Sequence, residues 1–114
     1  MVVSESQLAT LRTRLTERFE AEMVQHLVEH HEHLRERSVE EVHALVRAGR
    51  ARGLKSGIFA TDDVRRFLMF VGRFGLDFGE TKAWAGPILR DRELTGTEKV
   101  AALTDAVSAE GASR

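Results

Sequence analysis

The stretch that decides the fold is Thr61–Gly79, TDDVRRFLMFVGRFGLDFG. Thr61 can cap a helix, and Asp62 and Asp63 then stand in its first turn, where the partial positive charge of a helix N-terminus favours carboxylates. Phe67 to Val71 is an unbroken apolar run. A surface helix needs only one apolar stripe, so this run predicts a helix covered on most sides by its neighbours. Arg65, Arg66, Gly72 and Arg73 mark the face left for water or a partner. Gly75 is placed to end the helix in a left-handed turn, and Phe78 then adds another ring to the core. The expected fold class is all-α: a compact bundle of about five helices around a buried central helix.

The segments on either side supply the cover. Upstream, Ser4-Glu5-Ser6-Gln7 has the spacing of a capping box. Behind it Leu8, Leu11, Leu15, Phe19, Met23 and Leu27 recur at steps of three and four, one stripe on a long helix that should end near Leu34 to Arg37. Arg14 with Arg18, and Glu17 with Glu20, fall between the apolar positions and read as a solvated outer face. Ser38-Val39-Glu40-Glu41 is a second capping box and starts a second helix at Val39, with Val42, Leu45 and Val46 inward. Gly49, Gly53 and Gly57 weaken its helix propensity, and its end falls between Gly53 and Ser56. Ile58 and Phe59 anchor the link into the central helix.

Downstream, Leu76–Glu80 reads as a loop. Thr81 to about Asp91 reads as a short helix with Trp84, Ile88 and Leu89 at helical spacing; Pro87 requires that it start near Gly86 or kink there. Thr95-Gly96-Thr97-Glu98 is a third capping box, opening a last helix with Val100, Ala101, Leu103, Ala106 and Val107 apolar. Residues 108–114 read as a frayed tail, like the first four residues.

At 114 residues the chain reads as one domain, 1–114. With no cysteine it has neither disulfides nor thiolate metal ligands. Seventeen basic and eighteen acidic residues give a net charge of -1, which offers no global attraction to nucleic acid or an anionic membrane. No run reaches the roughly 18 apolar residues that would span a bilayer, and the N-terminus lacks the pattern of a signal peptide, so a cytoplasmic protein is expected. Apolar residues nowhere alternate in period two, which argues against strands.

Several groups invite a chemical reading. His26, His30 and His33 fall within about 60° of one another on a helix, where Glu22 or His43 would complete a zinc site. They equally continue the stripe of Leu15 and Phe19 as boundary residues, or could serve as a pH-responsive contact. HHEHLR is not the HExxH zinc motif, because Arg35 stands where its second histidine would be. No metal and no cofactor is therefore expected. Arg47, Arg50, Arg52 and Lys55 read first as a solvated helix end, then as a surface for an acidic protein, and least as a phosphate contact. Phe67, Phe70, Phe74, Phe78 and Trp84 read as core rather than as a ligand pocket. Gly72 would permit a close helix approach, or is merely tolerated. The carboxylate pairs Asp62/Asp63 and Glu40/Glu41 lie in first turns, where capping accounts for them. Without a nucleophile elbow, a P-loop or a cysteine nucleophile, no enzyme is expected.

Taken together, LRTRLTERFEAEMVQHL, TDDVRRFLMFVGRFGLDF and WAGPILRDRELTGTEKVAAL resemble small all-helical accessory proteins of bacterial type VI secretion effector clusters. The resemblance spans Leu8 to Val107: a long first helix with Phe19, an apolar central helix followed by an Asp77-Phe78 turn, and Trp84 ahead of Ile88-Leu89. Gly86-Pro87 departs from the smoother helix of that group. No functional residue carries over. The resemblance implies an adaptor or co-chaperone for a secreted effector or its loading chaperone: a protein partner, no nucleic acid and no membrane. The contact candidates are Arg65, Arg66 and Arg73 on the central helix, with His30 and His33 at the end of the first. An immunity-type inhibitor of a toxin and a histidine-based metal- or pH-sensing module are the alternative readings. An apolar helix face leaves room for a dimer, the first helix being the longest heptad-like run.

Overall fold

A computed structural model describes the backbone of residues 5–112 and the side chains of residues 7–109. Six α-helices and one 3-10 turn make up the regular structure of the described residues, with no strand among them. They are α1 (Glu5–His30), the 3-10 turn (Glu32–Leu34), α2 (Val39–Lys55), α3 (Thr61–Phe74), α4 (Phe78–Thr81), α5 (Gly86–Arg90) and α6 (Gly96–Ala112). The fold is all-α, and α3 is its centre: α1, α2, α4 and α6 all pack against it. Val64, Phe67, Leu68 and Val71 are buried on α3, while Met69 and Phe70 are half-buried. The capping box at Ser4–Gln7 involves residues outside this description.

Local chemistry sets the ends of the helices. Ser38 Oγ accepts the Glu41 N–H at 3.2 Å, and α2 begins at Val39. Thr95 and Glu98 form a reciprocal box: Thr95 Oγ1 accepts the Glu98 N–H at 3.1 Å, and Glu98 Oε1 accepts the Thr95 N–H at 2.9 Å. The Thr95 backbone N–H foremost, and then the Thr95 hydroxyl, hold the Glu98 carboxyl below the usual carboxylate range. α2 closes in a Schellman motif. The Ile58 N–H bonds Gly53 O, the Gly57 N–H bonds Leu54 O, and Gly57 takes φ 81°. Gly75 ends α3 at φ 102°, ψ 161°, a region open to glycine but not the compact left-handed turn expected of it. Pro87 lies in the first turn of α5, where its missing N–H costs nothing, so the helix starts at Gly86 and is not kinked.

Other expectations are corrected. α1 ends at His30, not at Leu34–Arg37, because His31 is extended (φ -128°, ψ 102°). Arg35 then donates to Val28 O and Glu29 O, satisfying carbonyls at the helix end. Ala60, not Thr61, is the N-cap of α3, with no side-chain cap bond. Asp63 does more than face the helix dipole: it is buried and accepts a 2.6 Å bond from Thr97 Oγ1, joining α3 to α6. Gly72 is buried, not on the free face. Phe78–Thr81 is a helical turn where a loop was expected, and α6 continues through Ala112 where a tail was expected from residue 108.

Packing explains the glycines of α2. A Cβ at Gly49 would stand 2.6 Å from Leu68 Cδ2, and one at Gly53 3.1 Å from the Phe67 ring. Their bare backbone lets α3 lie close to α2, a gain that offsets the lost propensity. The aromatic residues form core: Phe78 is fully buried, with Phe67, Phe70, Phe74 and Trp84 around it at centroid distances of 5.5–6.5 Å. Lys99 is also buried, its Nζ donating to Ser56 O at 2.7 Å and Leu89 O at 2.9 Å.

Candidate protein-interaction surface

The apolar stripe of α1 has two fates. Met23 and Leu27 are buried against the bundle and Phe19 is half-buried. Leu8, Leu11 and Leu15 are 39%, 53% and 56% exposed, and every described residue from Gln7 to Leu15 lies at the surface. α1 is about 39 Å long at 1.5 Å per residue, and its first half outruns the helices that could cover it. The radius of gyration, 15.6 Å, accordingly exceeds the roughly 13 Å of a compact chain this long.

The bare stripe runs into a cleft of about 420 Å3 lined by Leu15, Phe19, Phe59 and Val64, with Arg18, Arg50, Arg65 and Glu22 around it. Phe59 is 77% exposed, against the expectation that it anchors the link. The Schellman turn drives Ile58 into the core, and the next residue of an extended segment must face the other way. Leu54, 65% exposed, and Phe59 line a smaller hollow next to it, so the apolar surface continues.

The rim is cationic. The guanidinium carbons of Arg50 and Arg65 lie 5.5 and 5.9 Å from the Phe19 ring centroid. Arg18 and Arg65 both approach Glu22, at 4.0 and 3.7 Å. Three guanidinium groups face one carboxylate among the lining residues. Behind this rim Glu20 is buried, contrary to its reading as solvated. His43, Arg47 and Arg50 reach it at 3.4, 3.4 and 3.1 Å. Burial pushes the Glu20 carboxyl up, but the bonds from His43, Arg50 and Arg47 outweigh it and hold it below the usual range. Thus Arg47 and Arg50 are internal ties, and Arg52 pairs with Glu80 at 3.3 Å; only part of the basic run is the free helix end expected.

The arginines of α3 do not share one face. Arg65 turns to the Phe19 cleft, whereas Arg66 and Arg73, seven residues apart and so within about 20°, point elsewhere. Arg66 is exposed and makes no ion pair with a described residue. Arg73 lies over the Phe74 ring at 4.9 Å and borders a second hollow with His30, His31, His33, Met69 and Phe70. The structure thus brings His30, His33 and Arg73 together but separates them from Arg65.

His33 Nε2 donates to Gly72 O at 2.8 Å, which ties its ring to the end of α3. His31, which sequence reading passed over, packs on Gly72, where a Cβ would fall 2.9 Å from its Cδ2 and 2.7 Å from Leu27 Cδ2. Burial, then the charges of His33, His30, Arg73 and His26, hold the His31 imidazole below its ordinary pKa. His43 is committed to Glu20, and Glu22 to Arg18 and Arg65, so neither stands ready to complete a site with His26, His30 and His33.

These features define a small all-helical protein with one uncovered apolar ridge and a cationic cleft at its foot. No helix of the described residues is long and apolar enough to cross a membrane. No protein-family profile, curated protein or solved structure matches the chain.

Proposed function

We propose that this protein is a non-enzymatic interaction module whose ridge and cleft receive an acidic amphipathic helix of a protein partner. The observation that carries the reading is the bare line of Leu8, Leu11 and Leu15 running into the Phe19–Phe59 cleft. Contiguous apolar surface of this kind is costly to leave in water and is typical of interaction sites. Arg18 and Arg65 share the single rim carboxylate of Glu22, and this excess of guanidinium favours a partner carrying carboxylates beside its apolar stripe. A second copy fits less well, because the stretch of α1 from residue 5 to 18 sets Arg12, Arg14 and Arg18 against Glu5 and Glu17 and brings no net negative charge to the cationic rim.

The resemblance to type VI secretion accessory proteins supplies the partner's class. On this reading the chain is an adaptor or co-chaperone that works in the cytoplasm on a secreted effector or its loading chaperone. The test is titration calorimetry against effectors and loading chaperones from such clusters, with sedimentation of the free protein. The expected result is a monomer that binds one of them, with binding abolished by Leu11→Glu plus Leu15→Glu and weakened at low salt by Arg65→Glu. Partner binding that survives the leucine pair, or a homodimer that the pair dissolves, overturns the assignment.

A further inference from the structure

The last two turns of α1 carry a set of donors that the interaction reading does not use. His26, Glu29 and His30 are three and four residues apart on one face, all exposed, and one ligand atom from each lies within 4.8 Å of the others. The His26 and His30 rings are 4.2 Å apart and tilted by 41°. His30 Nδ1 is 2.9 Å from His26 O. A carbonyl can only accept, so Nδ1 holds the proton and Nε2 presents its lone pair outward. That is the usual state of a metal-binding imidazole, whose second nitrogen is tied to a carbonyl or carboxylate. Glu29 is oriented in the same manner: Gln25 Nε2 donates to its Oε1 at 3.2 Å, leaving the other carboxylate oxygen available. Arg35 closes the backbone beneath the site through Val28 O and Glu29 O.

We infer that His26, Glu29 and His30 form a surface site for a zinc-type divalent transition-metal ion. Two imidazoles and a carboxylate suit zinc and its neighbours, whereas magnesium and calcium prefer an all-oxygen shell. Tetrahedral bonds of about 2.0–2.2 Å set donors about 3.4 Å apart, which exposed side chains reach by small rotations. The fourth position faces solvent and takes water or a donor from a docked protein. Glu29, not His33, is the third ligand, because α1 stops at His30 and the close-set donors are those of His26, Glu29 and His30.

Calorimetric titration of the full chain with zinc chloride near neutral pH tests this, with magnesium chloride as comparison. One zinc ion per chain should bind, and magnesium should not. His26→Gln and His30→Gln should each weaken zinc at least about tenfold, as should Glu29→Gln, while His33→Gln should change nothing. All four side chains are exposed, so helix content by circular dichroism should be unchanged. Absence of zinc binding, unaltered affinity in His30→Gln, or an equal loss in His33→Gln overturns the site.

Discussion

Glu20 illustrates how a single residue differs from its pattern. Its spacing with Glu17 suggests a wet face, yet it is buried and binds three side chains of α2. Glu20→Gln keeps the shape but loses the charge that those donors answer. It should lower stability by about 2 kcal/mol, measured by urea unfolding. Because its folded pKa is depressed, its contribution is full above the unfolded value near 4.3 and is lost as pH falls through the folded one. His31 acts in a higher window. Its folded pKa is also lowered, so the unfolded chain takes a proton first, and stability declines as pH falls from about 6.5 toward the folded value. His31→Leu should remove this upper decline from a pH series of thermal unfolding and leave the acidic one in place.

At the scale of elements, the contacts between helices depend on backbone that nothing covers. Where α6 begins, a Cβ on Gly96 would meet the backbone at Gly57 O and, at 2.9 Å, Ile58 Cα. Neither atom can turn aside as a side-chain tip can. Gly96→Ala should therefore cost about 1–3 kcal/mol despite its better helix propensity, and chemical denaturation would show it. The same substitution on an open helix face would stabilise. Helix starts were legible here because a capping box is a local pattern: Thr95–Glu98 forms the full reciprocal box, and at Ser38–Glu41 the bond from the Glu41 N–H to Ser38 Oγ forms while the Glu41 carboxylate accepts from the Ser38 hydroxyl instead of its N–H. The end of α1 was not legible, since an amphipathic pattern continues through His31 and His33 while contacts with α3 pull those rings out of the helix.

For the molecule as a whole, the contrast between the covered centre and the uncovered ridge can be measured. Phe67→Ala empties a position that is 2% exposed and should cost about 3–5 kcal/mol. Leu11→Glu plus Leu15→Glu changes residues more than half exposed and should move the stability of the free protein by only about 0.5 kcal/mol per residue. A comparable loss from both, in one set of denaturation curves, would mean that the ridge is covered in the free protein and would remove the basis for a docking surface.

The sequence by itself determined the helical class, the centre at Phe67–Val71 and the starts of α2 and α6. Each rests on periodicity or on residues within one turn of one another. Tertiary structure alone decided which apolar residues are left over, since the line from Leu8 to Leu27 is one continuous stripe and only the reach of the neighbouring helices divides it. It also decided that Glu20, Asp63 and Lys99 are buried, because their partners lie 10 to 43 residues away along the chain. No local pattern carries that information, and the burial of a charge depends on where its partner arrives.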